Sequence, residues 1–166
     1  KIGPSMNHLN NAFKKFEIFE ENISIDEQMV PYTGRHSIKM FMKSKPIRFG
    51  FKQWIMASSS GYVYSFDLYQ GNSTEYNKDF GLGGSVVMNF INHTQEIYQK
   101  KLFVDNFFTS FALMKKLDSI GIKATGTVRQ NRLSKCPITE PRRFQKQPRG
   151  SIELFEESTS NIYFIH

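Results

Sequence analysis

The chain is expected to fold as a mixed α/β domain: antiparallel hairpin strands lead into parallel strands, and helices cover both faces of one sheet. Three observations predict this. The runs IRFGFKQWIMASS and GYVYSFDLYQG, rich in aromatic and β-branched residues and separated by a Ser-Ser-Ser-Gly turn, read as a hairpin. Downstream of them, segments of helical and of strand character alternate. The 166 residues, sixteen of them phenylalanine, suffice for one domain with a substantial core.

In chain order, residues 5–17 carry Met6, Leu9, Phe13 and Phe16 at intervals of three or four, which predicts a helix with one apolar face. NISID follows as a short alternating strand with Ile23 and Ile25 on one side and Asp26 at its end, before a turn region at Pro31 and Gly34. In the hairpin, Arg48, Lys52 and Gln53 leave one face partly polar. A loop rich in Asn, Ser, Thr and Gly comes next, and a helix is expected from about Gly83, with Val86, Val87, Phe90 and Ile91 as its buried stripe. GLGG at its approach lacks the spacing of a dinucleotide fingerprint and reads as a loop. KLFVD is a strand that stops on Asp105. Thr109 or Ser110 can cap the helix of Leu113, Met114, Leu117 and Ile120, and Gly121 suits its C-terminal turn. IKATGTV is a further strand. After Arg129 no packed element is expected until GSIELFE and NIYFIH, which can pair as a terminal hairpin.

The bulk numbers exclude some classes of function. No stretch approaches the roughly 18 apolar residues of a membrane span, and the first residues lack the basic-then-apolar pattern of a signal peptide, so a soluble, non-secreted chain is expected. Sequons at Asn22, Asn72 and Asn92 argue weakly the other way, and Cys136, being alone, excludes an internal disulfide. The net charge of +7 is concentrated in two stretches. One runs from Arg35 to Lys52 through Lys39, Lys43, Lys45 and Arg48 without an acid. The other runs from Arg129 to Arg149 through Arg132, Lys135, Arg142, Arg143 and Lys146 with Glu140 as its single acid. Such stretches suit a polyanion, and they also suit solvated faces and a flexible loop.

An acid at the end of an apolar strand must be paired, hydrogen-bonded or neutralised by a metal. For Asp105 alone, a helix-capping role or an ion pair with a nearby base accounts for it. Asp26 at a second strand end adds a different possibility, since two strand-end carboxylates can meet around hard divalent cations, and Mg²⁺ is commonly held by one or two carboxylates plus substrate phosphates. Two ions about 3.5 to 4 Å apart activate the attacking oxygen and stabilise the leaving one in phosphodiester chemistry. Glu27, Asp67, Asp79, Asp118 and Glu140 compete on spacing alone. Glu27 adjoins Asp26 and points to the opposite side of a continuing strand, which favours a supporting role. His36 reads as a surface residue, and Trp54 as core.

The words of the sequence are more specific than its periodicities. SIDEQMVPYTGRHSIKMFMKSKPIRFGFKQW, GYVYSFDLYQG, FVDNFFTSFALMKKL and GIKATGTVRQNR together resemble the transposase domain of the piggyBac family, including its domesticated derivatives in animal genomes. The resemblance covers residues 1–132 in order and the remainder more loosely. It implies a ribonuclease H-like catalytic core over 1–132, followed over 133–166 by a basic variable segment and a terminal hairpin. It implies metal-dependent DNA cleavage and strand transfer at TTAA sites, with Mg²⁺ or Mn²⁺ as cofactor and, in the full-length protein, DNA (transposon ends and target) as partner. It also implies a nuclear location, admits a homodimer and involves no membrane. Carried over by position, the aspartate of SIDE is Asp26 and that of VDNFFTS is Asp105, both as catalytic metal ligands. The third aspartate of the family's set is expected beyond the basic stretch, and no residue through His166 supplies it. That departure keeps a second reading open, a domesticated or truncated domain that binds DNA or protein without cleaving, and a third, a decayed fragment. Arg35, in the GR word, can contact phosphate or pair with an acid. Lys45, Arg48 and Lys52 can line a DNA path, and Arg129 and Arg132, after GTV, are candidates for backbone phosphates.

Overall fold

Side chains along NISIDEQMV alternate between core and solvent, so that Ile23, Ile25 and Met29 are buried while Asn22, Ser24, Asp26 and Gln28 are exposed. That period of two defines the central strand of the sheet. The computed structural model describes residues 2–16, 18–43, 45–94, 97–98, 100–133 and 136–166, and Lys135 of the second basic stretch lies outside them. The central strand is β1 (Asn22–Pro31), followed by β2 (Met40–Phe41), β3 (Phe49–Ser58), β4 (Val63–Leu68), β5 (Lys101–Val104) and β6 (Lys123–Gly126). β1 pairs antiparallel with β3 on one side and parallel with β5 on the other, and β6 pairs parallel with β5. The outer edge of β3 carries β4 along most of its length and the short β2 at its start. The antiparallel hairpin and the succeeding parallel strands are those the sequence predicts; β2 had no signal.

The core lies on one face. Ile23 and Ile25 of β1, Trp54 and Met56 of β3, and Leu102 and Val104 of β5 form one cluster with Val87, Phe90 and Ile91 of α2 (Gly81–Asn92) and Leu113 and Leu117 of α3 (Phe111–Ser119). α1 (Gly3–Phe16) lies along β4. The other face is open to solvent at Ser24 and Asp26 of β1, Phe103 of β5 and Thr125 of β6, while Gln53, Ile55 and Ala57 of β3 are partly covered.

The docking of α1 differs from the predicted apolar stripe. β4 is an edge strand, and an edge strand leaves backbone groups in need of partners. Asn10 supplies them: its side-chain amide donates to the Phe66 carbonyl at 2.9 Å and accepts from the Phe66 N–H at 3.0 Å. Phe13 packs edge-on against Tyr62 and Phe66. The docked, half-buried face therefore centres on Met6, Asn10 and Phe13, and Leu9 and Phe16 face solvent.

GLGG is helical, contrary to the loop expected, and forms the start of α2. Close packing explains the composition. A Cβ on Gly83 would stand 2.4 Å from the Phe107 carbonyl oxygen and 2.8 Å from the Phe108 Cα. The helix thus runs directly against the backbone that follows β5. For α3, the structure selects Ser110 as the cap, its hydroxyl accepting from the Leu113 N–H at 3.2 Å, and Gly121 ends the segment at φ 76°. Beyond β6 come a 3-10 turn (Gln130–Arg132), the one-turn α4 (Pro141–Phe144), which was not predicted, and the expected hairpin of β7 (Leu154–Glu156) and β8 (Tyr163–Ile165). The hairpin rests on α3 through Phe164 against Phe111 and an ion pair of 3.5 Å between Lys115 and Glu157.

Candidate metal centre

The parallel register of β1 and β5 ends at the pair Ile25 and Val104. The next residue on each strand is an aspartate, so the backbone itself sets Asp26 beside Asp105. The expectation that Asp26 lies at a strand end is corrected in one respect: β1 runs on to Pro31, and what stops there is its pairing with β5. Asp26 accepts the Glu27 N–H at 2.7 Å, which folds its carboxylate along the strand. Asp105 accepts the Phe107 N–H at 2.8 Å, while its own carbonyl accepts from the Thr109 hydroxyl at 2.7 Å. The loop after β5 is thus built around Asp105 as an anchor.

A third carboxylate joins them. Oxygen atoms of Asp26, Glu27 and Asp105 lie within 4.8 Å of one another. Strand alternation places Glu27 on the core side, away from Asp26, as the sequence predicted, and its carboxylate nevertheless converges with theirs. Among the described residues the β1–β5 pairing stops at Val104, and the longer glutamate side chain reaches the aspartates there. Partial burial raises the Asp26 carboxyl above its ordinary value; the charges of Glu27 and Asp105 push the same way, against the Glu27 N–H and Lys45.

The basic residues singled out in the sequence separate into distinct groups. Lys45 pairs with Glu27 Oε1 at 3.0 Å. Burial alone would lower the Lys45 ammonium, but the hydrogen bond and charge of Glu27, with the fields of Asp26 and Asp105, hold it above the usual lysine value. Lys52 is 7% exposed, and its ammonium stands 4.1 Å from the centre of the Phe107 ring. A buried lysine offers no open phosphate contact, so its place on a DNA path is not what the fold provides; burial pushes its pKa down. Arg132 turns inward as well. Its Nη1 donates to the carbonyls of Asn106 at 2.8 Å, Phe107 at 3.0 Å and Thr109 at 3.2 Å, tying down the loop that carries Asp105. Arg35, Arg48 and Arg129 are exposed.

The remaining acids lie elsewhere. Asp118 accepts the Asn161 N–H, and Glu140 precedes α4. Asp67 lines an open cavity of about 690 Å³ between β4 and α2, beside Trp54 and Asn89. Burial raises the Asp67 carboxyl above its ordinary value of 3.8, partly offset by the Leu68 N–H. A raised acid binds its proton more tightly in the native state than in the unfolded one, so this group costs stability as pH rises from its ordinary value through the native one. Asp67→Asn is expected to leave the thermal midpoint unchanged at acid pH and to raise it at neutral pH; an equal shift at both would mean that packing, not charge, is responsible.

The donor set fits a hard divalent cation. All three side chains offer oxygen, the preference of Mg²⁺ and Mn²⁺. Glu27 Oε2 is buried and has no hydrogen-bond partner, an arrangement that is costly without a compensating cation or donor. The sequence located Asp26 and Asp105 correctly as neighbours. It could not show that Glu27 reaches them, or that Arg132 serves the loop of Asp105.

The family model described as Transposase IS4 matches residues 1–165. Human PiggyBac transposable element-derived protein 3 is 39% identical over 165 residues, which cover 98% of this chain and 28% of that protein. Human PiggyBac transposable element-derived protein 2 is 36% identical over the same shares. The chain therefore spans about 28% of the length of these curated relatives. A cryo-EM structure of the piggyBac transposase synaptic complex with hairpin DNA superposes with a TM-score of 0.77 at 23% identity, covering 94% of this chain and 32% of that one. At that identity the likeness is one of fold, the ribonuclease H-like mixed sheet.

Proposed function

The chain belongs to the transposase IS4 family, in its piggyBac-type branch, and on that premise we propose that it forms part of a divalent-cation-dependent core that cuts and joins DNA at TTAA sites in the nucleus. The observation that carries this reading is the convergence of Asp26 and Asp105, far apart in the chain, to within 4.8 Å.

Asp26 and Asp105 hold the cation. Mg²⁺ or Mn²⁺ bound there supplies charge neutralisation at the phosphate and an activated water or hydroxyl oxygen. The chain's own part is to fix the oxygens. The Phe107 N–H orients the Asp105 carboxylate, and Arg132 and the Thr109 hydroxyl hold the loop that presents it. The Glu27 N–H orients Asp26. Because Asp26 lies on the open face of the sheet, a phosphodiester can approach it from solvent. Arg35, Arg48 and Arg129, exposed around the sheet, take backbone phosphates, a contact that gives affinity without sequence information.

The test combines DNA binding with strand scission. Affinity for a TTAA-bearing duplex in Mn²⁺ is expected to fall with salt, and Arg48→Ala and Arg129→Ala each to reduce the slope by about one. In the full-length protein, Mn²⁺-dependent cleavage abolished by EDTA is expected. Salt-dependent binding without cleavage would establish the domesticated, non-cleaving reading instead, and binding insensitive to salt would remove the phosphate-contact role.

A further inference from the structure

We propose that Glu27 is a further ligand of the divalent-cation centre formed with Asp26 and Asp105, its buried Oε2 supplying the third carboxylate oxygen; this rests on the proposed function for the centre itself. The three-aspartate set implied by the family resemblance gives this residue no role, and strand alternation argues against one. Three observations point the other way. A Glu27 carboxylate oxygen stands within 4.8 Å of those of both aspartates. The side chain is 10% exposed, deeply placed for an acid. Its two oxygens are treated differently: Oε1 receives the Lys45 ammonium at 3.0 Å, while Oε2 is buried and has no partner.

A carboxylate with one oxygen in an ion pair and the other buried and unpaired is incompletely satisfied. A donor from elsewhere in the chain would resolve this, and none reaches Oε2 among the described residues. A hard cation at the point where the three carboxylates converge resolves it without moving the backbone. Lys45 then has a defined part. It neutralises Oε1, leaving Oε2 for the cation, and limits the repulsion among three acids placed so close together.

The competing explanation is that Glu27 only holds Lys45 away from the aspartates. A mutant cycle on the full chain separates the two. Mn²⁺ affinity is read by calorimetry for the wild type, Asp26→Asn, Asp105→Asn, Glu27→Gln, Lys45→Met and the double variant Glu27→Gln/Lys45→Met. In the double variant no charge is left unpaired, so it serves even where Glu27→Gln alone impairs folding. If Glu27 is a ligand, the double variant binds Mn²⁺ about 10-fold or more weakly than Lys45→Met. Tb³⁺ luminescence decay in H₂O and D₂O then also counts one more bound water in the double variant. Equal affinity and equal water count in Lys45→Met and the double variant overturn the assignment of Glu27. Should the aspartate variants lose Mn²⁺ in that case, the proposed function still stands. If neither aspartate variant loses Mn²⁺, both proposals fail together.

Discussion

Asp105→Asn is expected to weaken Mn²⁺ and Mg²⁺ binding by on the order of 100-fold or more, beyond what loss of a supporting residue causes. The substitution conserves shape. Asparagine keeps the oxygen that accepts the Phe107 N–H, and the backbone carbonyl that receives the Thr109 hydroxyl is untouched, so the loop after β5 retains its anchor. What disappears is the charge. In the metal-free protein that loss also relieves repulsion toward Asp26, whose carboxyl is raised in part by Asp105. The metal-free thermal midpoint of the variant should therefore equal or exceed that of the wild type. In excess metal the order reverses: a cation at 100 times its dissociation constant stabilises the wild type by about 2.7 kcal/mol, and the variant gains almost none of this. Calorimetry and thermal melts with and without Mn²⁺ check both halves. An undiminished metal-induced shift in Asp105→Asn would place the cation elsewhere.

Phe108→Ala is the substitution expected to cost most in stability. Phe108 is fully buried in the cluster shared by the sheet, α2 and α3. Its removal leaves a cavity that neighbours fill only partly, a loss of about 3–5 kcal/mol. For a chain of this size, that corresponds to a fall of about 10 °C in the thermal midpoint. The same residue sits in the turn closed by hydrogen bonds to the Asp105 carbonyl, and the Phe108 Cα lies where a Cβ on Gly83 would fall. Loosening this contact frees the loop that Arg132 ties down, so weaker Mn²⁺ binding should accompany the lost stability. A melt and a titration at a temperature well below the variant's midpoint separate the effects: full affinity in the folded variant would show that the loop holds its shape without the ring.

Much of this was readable in the chain. Alternation marked Ile23 and Ile25 as core, the Ser-rich turn marked the hairpin of β3 and β4, and Gly121 marked the end of the α3 segment, because each depends on a local period or a backbone requirement. Errors arose where a neighbour far along the chain decides. Nothing near Leu9 shows that α1 docks through an amide on the edge of β4, and nothing near GLGG shows that a helix must lie against the backbone of Phe107. Lys52 reads as a surface base until its aromatic surroundings are assembled from three separate segments.

By itself the sequence determined most of the elements, their order and the family, and it singled out Asp26 and Asp105, since these follow from short-range periodicity and from rare words. Only the tertiary structure decided that pairing between β1 and β5 stops at Ile25 and Val104, and with it that Glu27 joins the acids and Arg132 braces the loop. The reason is physical. The end of a ladder is fixed by two strands together, and a side chain's partners by which segments meet around it; neither is encoded within the few residues over which a sequence pattern can be read.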